Sequence, residues 1–248
     1  MANNPIVNAG LKYVNGLSLS CDSVAAPKVV NVAAGAARDS TNVNDIILDA
    51  AVAINGALAG VVNGVDVDAL ANSSFYAVFV IGDSTRNNDA ACLLSLSATA
   101  PSLPSGYDMF RRIGWVLTNG SANVLQFWQN GLDQSRWMMY DVGISELSGG
   151  TSATYAEINL ATSVPAQNGM VLFSAALTPT TAADKVNLLP YGSVASVGVA
   201  VLSGAVGGVV QTAPVMVPVT LNAGVPTVQY KVTGAVTLLT MGYADYLG

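Results

Sequence analysis

Short apolar runs separated by glycine-containing turns recur along the whole chain. The most distinctive run is residues 75–81, where every side chain is aromatic or aliphatic and Gly82-Asp83 follows directly. A continuous apolar run of strand length, rich in aromatic and β-branched residues, is typical of a strand buried on both faces. We therefore expect residues 75–81 to form a central strand, because an exposed edge strand of this composition would promote aggregation.

Further segments of strand length and composition predict an all-β protein with little helix. Asn-Gly turns such as Asn55-Gly56 and Asn130-Gly131 separate many of them, at a spacing typical of sandwiches and barrels. Residues 66–72 are the best candidate for a helical turn, and residues 46–58 could be helix, although strand is favoured. The predicted strands are 11–20, 29–32, 46–54, 92–97, 113–117, 124–128, 155–160, 170–175, 197–202, 215–221, 227–232 and 236–241.

A polar, glycine-containing stretch divides the chain into two predicted β-sandwich-like domains, for which a jelly roll is one possible form. The N-terminal β domain spans residues 1–142, of which 1–22 are an extended arm or a first strand. Residues 143–153 form the polar linker, because serine, threonine and glycine dominate there. The C-terminal β-sandwich spans residues 154–248, and all three tryptophans precede the linker.

Composition narrows the possible functions more than any motif does. Histidine is absent, which removes the usual triad base and the commonest transition-metal ligand. Charged residues make up only 10% of the chain, far below the usual quarter, so much of the surface is uncharged. Uncharged surface commonly marks subunit contact. A net charge of −6 argues against nucleic-acid and anionic-membrane partners.

One long stretch contains no charged residue. It lies between Lys185 and Lys231 and includes a valine-rich run over residues 194–210. A membrane-spanning helix needs about 20 apolar residues, but glycines interrupt this run and prolines follow it, which favours strands and turns. We expect no membrane span, and we expect this stretch to supply the contact between subunits.

Three groups of residues suggest chemistry, and each also has a simpler structural explanation. Gly82-Asp83-Ser84 resembles the nucleophile turn of certain serine esterases, but that chemistry needs a histidine, so a hydrogen-bonded turn is favoured. Glu146 and Glu157 are the only glutamates, and they could act as the two catalytic carboxyl groups of a glycosidase. Loop carboxylates could bind calcium, although no EF-hand spacing is present; these are Asp39, Asp45 and Asp49, or Asp66 and Asp68.

Aromatic residues near the end of the first domain are candidates for stacking against sugar rings. They are Trp115, Trp128, Trp137 and Tyr140, with Phe127 beside them, and core packing is the alternative role. We expect Arg111 or Arg112 to reach a carboxylate or lie over an aromatic ring. Cys21 and Cys92 are expected to be free thiols, because two cysteines without histidine cannot form a structural zinc site. No cofactor is predicted.

Several segments resemble a known family. They are FYAVFVIGDST (75–85), LSLSATAPSLPSGYD (94–108) and FRRIGWVLTNGS (110–121), with AARDST (36–41) and GYADYL (242–247). They are similar to structural proteins of tailed-bacteriophage virions, found among tail-fibre-like and head-associated proteins. The resemblance is strongest over about the first 140 residues. It implies an exposed homo-oligomer fixed to a capsid or tail, and it brings no catalytic residues.

The sequence thus predicts a non-enzymatic virion structural protein, expected to be a homotrimer. It would decorate or stabilise the capsid or form part of a tail fibre, in contact with other capsid or tail proteins. Since no signal peptide is recognisable, we expect synthesis in the bacterial host cytoplasm. The alternatives are a tail-associated module that binds host surface glycan and a virion glycan depolymerase. An aromatic groove without paired carboxylates would favour the glycan-binding module. An aromatic groove with paired carboxylates would favour the depolymerase.

Overall fold

The computed structural model describes residues 12–21, 25–132, 135–194, 198 and 200–247. Over these residues the chain forms β-strands and turns without any helix, which confirms the predicted all-β class.

The first ten strands are β1 (Val14–Gly16), β2 (Leu19–Cys21), β3 (Val29–Val32), β4 (Gly35–Arg38), β5 (Asp45–Leu48), β6 (Val52–Asn55), β7 (Phe75–Gly82), β8 (Ala91–Ser95), β9 (Met109–Leu117) and β10 (Phe127–Leu132). The remaining eight are β11 (Ser135–Gly150), β12 (Ala156–Asn159), β13 (Gly169–Thr178), β14 (Lys185–Pro190), β15 (Ala200–Ser203), β16 (Gln211–Asn222), β17 (Val225–Val232) and β18 (Ala235–Tyr246).

The chain divides into two compact units. Unit 1 contains residues 1–137 together with 245–248, and unit 2 contains residues 138–244. Unit 1 holds three three-stranded antiparallel sheets, in the orders β1-β4-β5, β2-β3-β6 and β8-β7-β9. Strand β7 is the middle strand of the last sheet and is buried from Tyr76 to Gly82, which confirms its prediction as a central strand buried on both faces.

Unit 2 is built on one curled antiparallel sheet. Strand β13 pairs with β16 on one side and with β18 on the other, while β17 pairs with β12, β14 and β16. Strand β16 changes partner along its length. Residues 211–219 pair with β13, and residues 220–222 pair with β17. The inner side of β13 carries Val171, Phe173, Ala175 and Leu177, none of which is accessible to solvent.

Two local predictions are wrong. Residues 143–153 were expected to form a linker, but residues 143–150 continue β11, because serine and glycine are compatible with the outer side of a paired strand. The helical turn predicted at 66–72 is a bend without helix. There the Asp66 carboxylate accepts hydrogen bonds from the Ser95 hydroxyl (2.6 Å) and the Ser102 amide (3.0 Å), so it holds a neighbouring loop and caps no helix.

Other expectations agree with the structure. Residues 46–54, predicted as strand rather than helix, form strand, although the single predicted strand is divided into β5 and β6, which belong to different sheets. Of the predicted N-terminal arm or first strand, residues 14–16 and 19–21 form β1 and β2, and residues 1–11 lie outside the described part. Cys21 and Cys92 do not form a disulfide. In the described part of the chain, no helix is long and apolar enough to cross a membrane.

Candidate functional site

The most unusual surface in unit 2 comes from the charge-free stretch between Lys185 and Lys231. Among the described residues, seven of the seventeen exposed large apolar side chains fall within residues 194–221. We call five of them the valine segment: Val194, Val201, Val206, Val209 and Val210, with exposed fractions from 46% to 100%. Scattered exposed apolar residues are ordinary, but a concentration of them in a stretch of chain without charged residues is typical of a surface that another molecule covers.

Backbone contacts hold this segment against a turn in the same unit. The Gly204 amide donates to the Asp184 carbonyl (2.7 Å), and the Gly208 amide donates to the Pro179 carbonyl (2.8 Å). Gly207 lies so close to this turn that an added Cβ would come within 2.6 Å of the Thr180 carbonyl oxygen. Val206, Val209 and Val210 are therefore exposed by a fixed local structure, since glycine at these positions allows the close approach.

The turn itself is organised by one carboxylate. Asp184 accepts hydrogen bonds from the Thr180 hydroxyl (2.8 Å) and amide (2.6 Å) and from the Thr181 amide (3.0 Å). These bonds lower the pKa of Asp184 to about 2, and the bond from the Thr180 hydroxyl makes the largest contribution. The carboxylate is charged at neutral pH, so it keeps the base of the valine segment fixed.

The four aromatic residues predicted to stack against glycans differ in accessibility. Trp115 and Tyr140 are buried, at 5% and 7% exposure, and Trp137 is half-buried. Trp115 packs edge-on against Phe75, with ring centroids 6.4 Å apart. The Tyr140 hydroxyl donates to the Ser163 carbonyl (2.6 Å). Trp128 is exposed at 60%, so its ring is the one of the four that is most open to a ligand.

The Gly82-Asp83-Ser84 motif forms a capped turn after β7. Asp83 accepts hydrogen bonds from the Thr85 hydroxyl (2.6 Å) and amide (2.8 Å) and from the Asn88 side-chain amide (2.9 Å). The bond from the Thr85 hydroxyl is the largest cause of a pKa for Asp83 of about 2. The Ser84 hydroxyl donates to Asp108 (2.5 Å), and the chain contains no histidine to activate it. The geometry is that of the hydrogen-bonded turn favoured from the sequence.

An acidic cleft of about 380 Å³ lies beside this turn, lined by Asp45, Asp49, Asp83 and Asp89 together with Arg86. Asp45 is paired with Arg38 at 2.6 Å, and Asp83 is used by its own turn. The described residues include no group of three or more cysteine or carboxylate side chains placed to hold a metal ion. Asp39, another calcium candidate, instead accepts hydrogen bonds from Thr41 and Val43.

The two glutamates make separate hydrogen bonds. Glu146 accepts a hydrogen bond from the Thr240 hydroxyl (2.9 Å), and burial raises the pKa of its carboxyl group. Glu157 is exposed on β12 and accepts a hydrogen bond from the Asn222 side chain (3.0 Å).

Arginine residues have structural roles in unit 1. Arg112 pairs with the fully buried Asp245 (2.8 Å) and lies over the Trp115 ring, 5.3 Å from its centroid, as the sequence led us to expect. Arg111 donates to the Arg38 and Asp39 carbonyls. Arg136 was not singled out from the sequence, although it is only 2% exposed and donates to the Leu17 and Ile113 carbonyls. No local pattern marks it, because its partners are distant in sequence.

Comparison with known proteins adds no relative: no family model, no curated protein and no solved structure matches this chain.

Proposed function

We propose that this chain is a non-enzymatic structural subunit of a tailed-bacteriophage virion, a repeated exterior protein that decorates or stabilises the capsid or forms part of a fibre. The observation that carries the proposal is the exposed valine segment within a charge-free stretch. A freely soluble monomer gains nothing from such a surface, whereas a subunit in a repeated assembly buries it against a neighbour.

The energy available from this surface suits an assembly. Full burial of a valine side chain stabilises by about 1.5–3 kcal/mol, and four of the five valines are already about half covered, so about 1 kcal/mol per residue remains. Five residues then contribute about 5 kcal/mol, which is between three and four orders of magnitude in a dissociation constant. Contacts of this size reinforce one another when many copies bind a lattice.

The resemblance of residues 75–121 to virion proteins supports the particular setting. The absence of histidine and the low charge of the chain agree with a passive role. We propose assembly as a homotrimer after synthesis in the host cytoplasm, with contacts to other capsid or tail proteins. Free thiols suit that reducing compartment.

A glycan-binding module is the second candidate, favoured by one observation. Trp128 is 60% exposed, and Asn130, two residues further along β10, is also exposed. The Asn130 side-chain oxygen accepts a hydrogen bond from the Gly131 amide, and its NH₂ group can donate to a sugar hydroxyl. Titration of the chain with host surface polysaccharide, followed by tryptophan fluorescence, tests this role. Binding that Trp128→Ala abolishes would support it.

Incorporation into particles tests the main proposal. We expect the chain among the proteins of purified phage particles, and we expect Val209→Asp to lower its incorporation at least tenfold, because a charge at the contact would be desolvated without a partner. Val43→Asp is the matched control, since Val43 is 67% exposed and lies in unit 1, outside the valine segment.

Two results would contradict the proposal. One is the absence of the parent chain from purified particles. The other is hydrolysis of host polysaccharide or of ester substrates by the purified chain, lost in Ser84→Ala or after replacing Glu146 or Glu157.

A further inference from the structure

The outer side of the sheet in unit 2 carries a group of large apolar side chains, although its inner side already forms the core. Strands β11, β18, β13 and β16 are consecutive in this sheet. In an antiparallel sheet with one side in the core, the other side is usually polar and faces water. A sheet that is apolar on both sides therefore needs a second layer.

Strand pairing places the outer side chains in register. Leu172 of β13 lies opposite Met216 of β16 and Gly242 of β18. A Cβ on Gly242 would come within 2.8 Å of the Met139 sulfur, so Met139 of β11 lies over this glycine. The result is a continuous apolar row across four strands.

Neighbouring rows extend this surface. Met170 lies opposite Pro218, and Ser174 lies opposite Pro214 and Leu239. A Cβ on Gly143 would come within 2.7 Å of the Met241 sulfur, which places β11 beside Leu239 and Met241. We define the methionine face as Met139, Met170, Leu172, Met216, Leu239 and Met241.

The methionine face carries four of the seven methionines of the chain. Met216 is 55% exposed and the other five residues are half-buried. No charged residue occurs in β13, in β16 or in residues 235–244 of β18, whereas β11 carries the exposed Asp141 two residues after Met139. The polar outer side of β12, with Glu157 and Asn159 exposed in the same unit, shows the ordinary arrangement.

The side of the sheet that carries the methionine face is close in area to what a stable contact requires. Strand β13 has ten residues, and at about 3.4 Å per residue it is about 34 Å long. Four strands about 4.8 Å apart are about 19 Å wide, so this side of the sheet offers about 650 Å², a figure that includes the serine and threonine rows beside the methionine face. A standard interface takes about 800 Å² from each partner.

We propose that the methionine face packs against a second copy of this chain. An uncharged face needs an uncharged partner, and another copy supplies one of the same shape, since two sheets pack face to face about 10 Å apart. Unbranched methionine side chains adjust to fill such a contact. This inference rests on the proposed assembly role, which it extends by naming the surface between copies.

Light scattering and sedimentation of the full chain test the proposal. The parent is expected as an oligomer whose mass is a multiple of 25.2 kDa. Met216→Glu is expected to raise the dissociation constant at least a hundredfold, because each copy would bury an unpaired charge. Asn159→Glu adds the same charge on the polar side of the same unit and is expected to leave the mass unchanged.

A second measurement keeps the test valid if Met216→Glu fails to fold. Peroxide oxidation of the parent, read by peptide mass spectrometry, should modify Met170 and Met216 at least tenfold more slowly above the dissociation constant than below it. A parent that stays monomeric, an oligomer unchanged in the folded Met216→Glu variant, or oxidation independent of concentration would each overturn the proposal. So would a monomer that binds neutral lipid vesicles through this face.

The outcomes separate this inference from the proposed function. If Met216→Glu dissociates the oligomer but the parent is absent from phage particles, the methionine face stands and the virion role fails. If only Val209→Asp alters assembly, the virion role stands and the methionine face is not the contact.

Discussion

Replacing Phe79 by alanine should destabilise unit 1 strongly. Phe79 lies in the middle of β7 and is 1% exposed. Its ring meets that of Phe110 edge-on, with centroids 5.8 Å apart and planes at 78°. Strands β8 and β9 flank β7, so neighbouring backbone on both sides limits how far the site can collapse.

The expected loss follows from burial and packing. Phe→Ala in a closed core costs about 3–5 kcal/mol, including the cavity left behind. An edge-on aromatic pair adds about 0.5–1.5 kcal/mol beyond area burial, so a total of about 3.5–6.5 kcal/mol is expected. A domain of this size is stable by about 5–15 kcal/mol, which would leave the variant marginal.

Urea unfolding followed by tryptophan fluorescence measures this loss, because Trp115, Trp128 and Trp137 all lie in unit 1. Leu96→Ala is the control: Leu96 is 61% exposed and should change the free energy of unfolding by less than about 0.5 kcal/mol. Equal midpoints for the two variants would refute the placement of the core around β7.

Three further predictions concern other features. Hydrogen bonds lower the pKa values of Asp83 and Asp184 to about 2. The largest contribution comes from the Thr85 hydroxyl for Asp83 and from the Thr180 hydroxyl for Asp184. Their stabilisation should be complete above about pH 4 and lost as the pH falls towards 2, and Asp184→Asn should flatten this dependence in urea unfolding. Burial raises the pKa of Cys92 to about 12, so a thiol reagent at pH 8 should label Cys92 only after denaturation, as mass spectrometry can show. Gly242→Ala should lower the free energy of unfolding by about 1–3 kcal/mol, because its Cβ would meet the Met138 carbonyl, whereas Gly120→Ala meets nothing within 4 Å and should have little effect.

Sequence reasoning succeeded where the signal was local and continuous. Residues 75–81 could be assigned because an unbroken aromatic and β-branched run has few stable alternatives to a buried strand. The far half of β11 was missed, because serine and glycine in residues 143–150 indicate a loop by composition and form a strand only through pairing in the sheet. Its partner strand lies about 90 residues further along the chain, as the Gly149–Thr237 hydrogen bond shows.

Long-range pairing also decided the roles of individual residues. Asp66 holds Ser95 and Ser102, and Arg112 meets Asp245, contacts that no local pattern predicts. The aromatic candidates could not be divided into core and surface by sequence, because composition does not say which side of a strand faces water. The methionine face was likewise invisible in the sequence, since its members lie on four separate strands and meet only through register.

Locating the chain on an intact particle tests the central proposal most directly. Purified phage particles should be labelled with an antibody fragment against this chain and imaged by electron microscopy. We expect label in a regular, repeated array on the exterior of the capsid or along a tail fibre. Unlabelled particles, with the chain found only in the soluble fraction of the lysate, would contradict it.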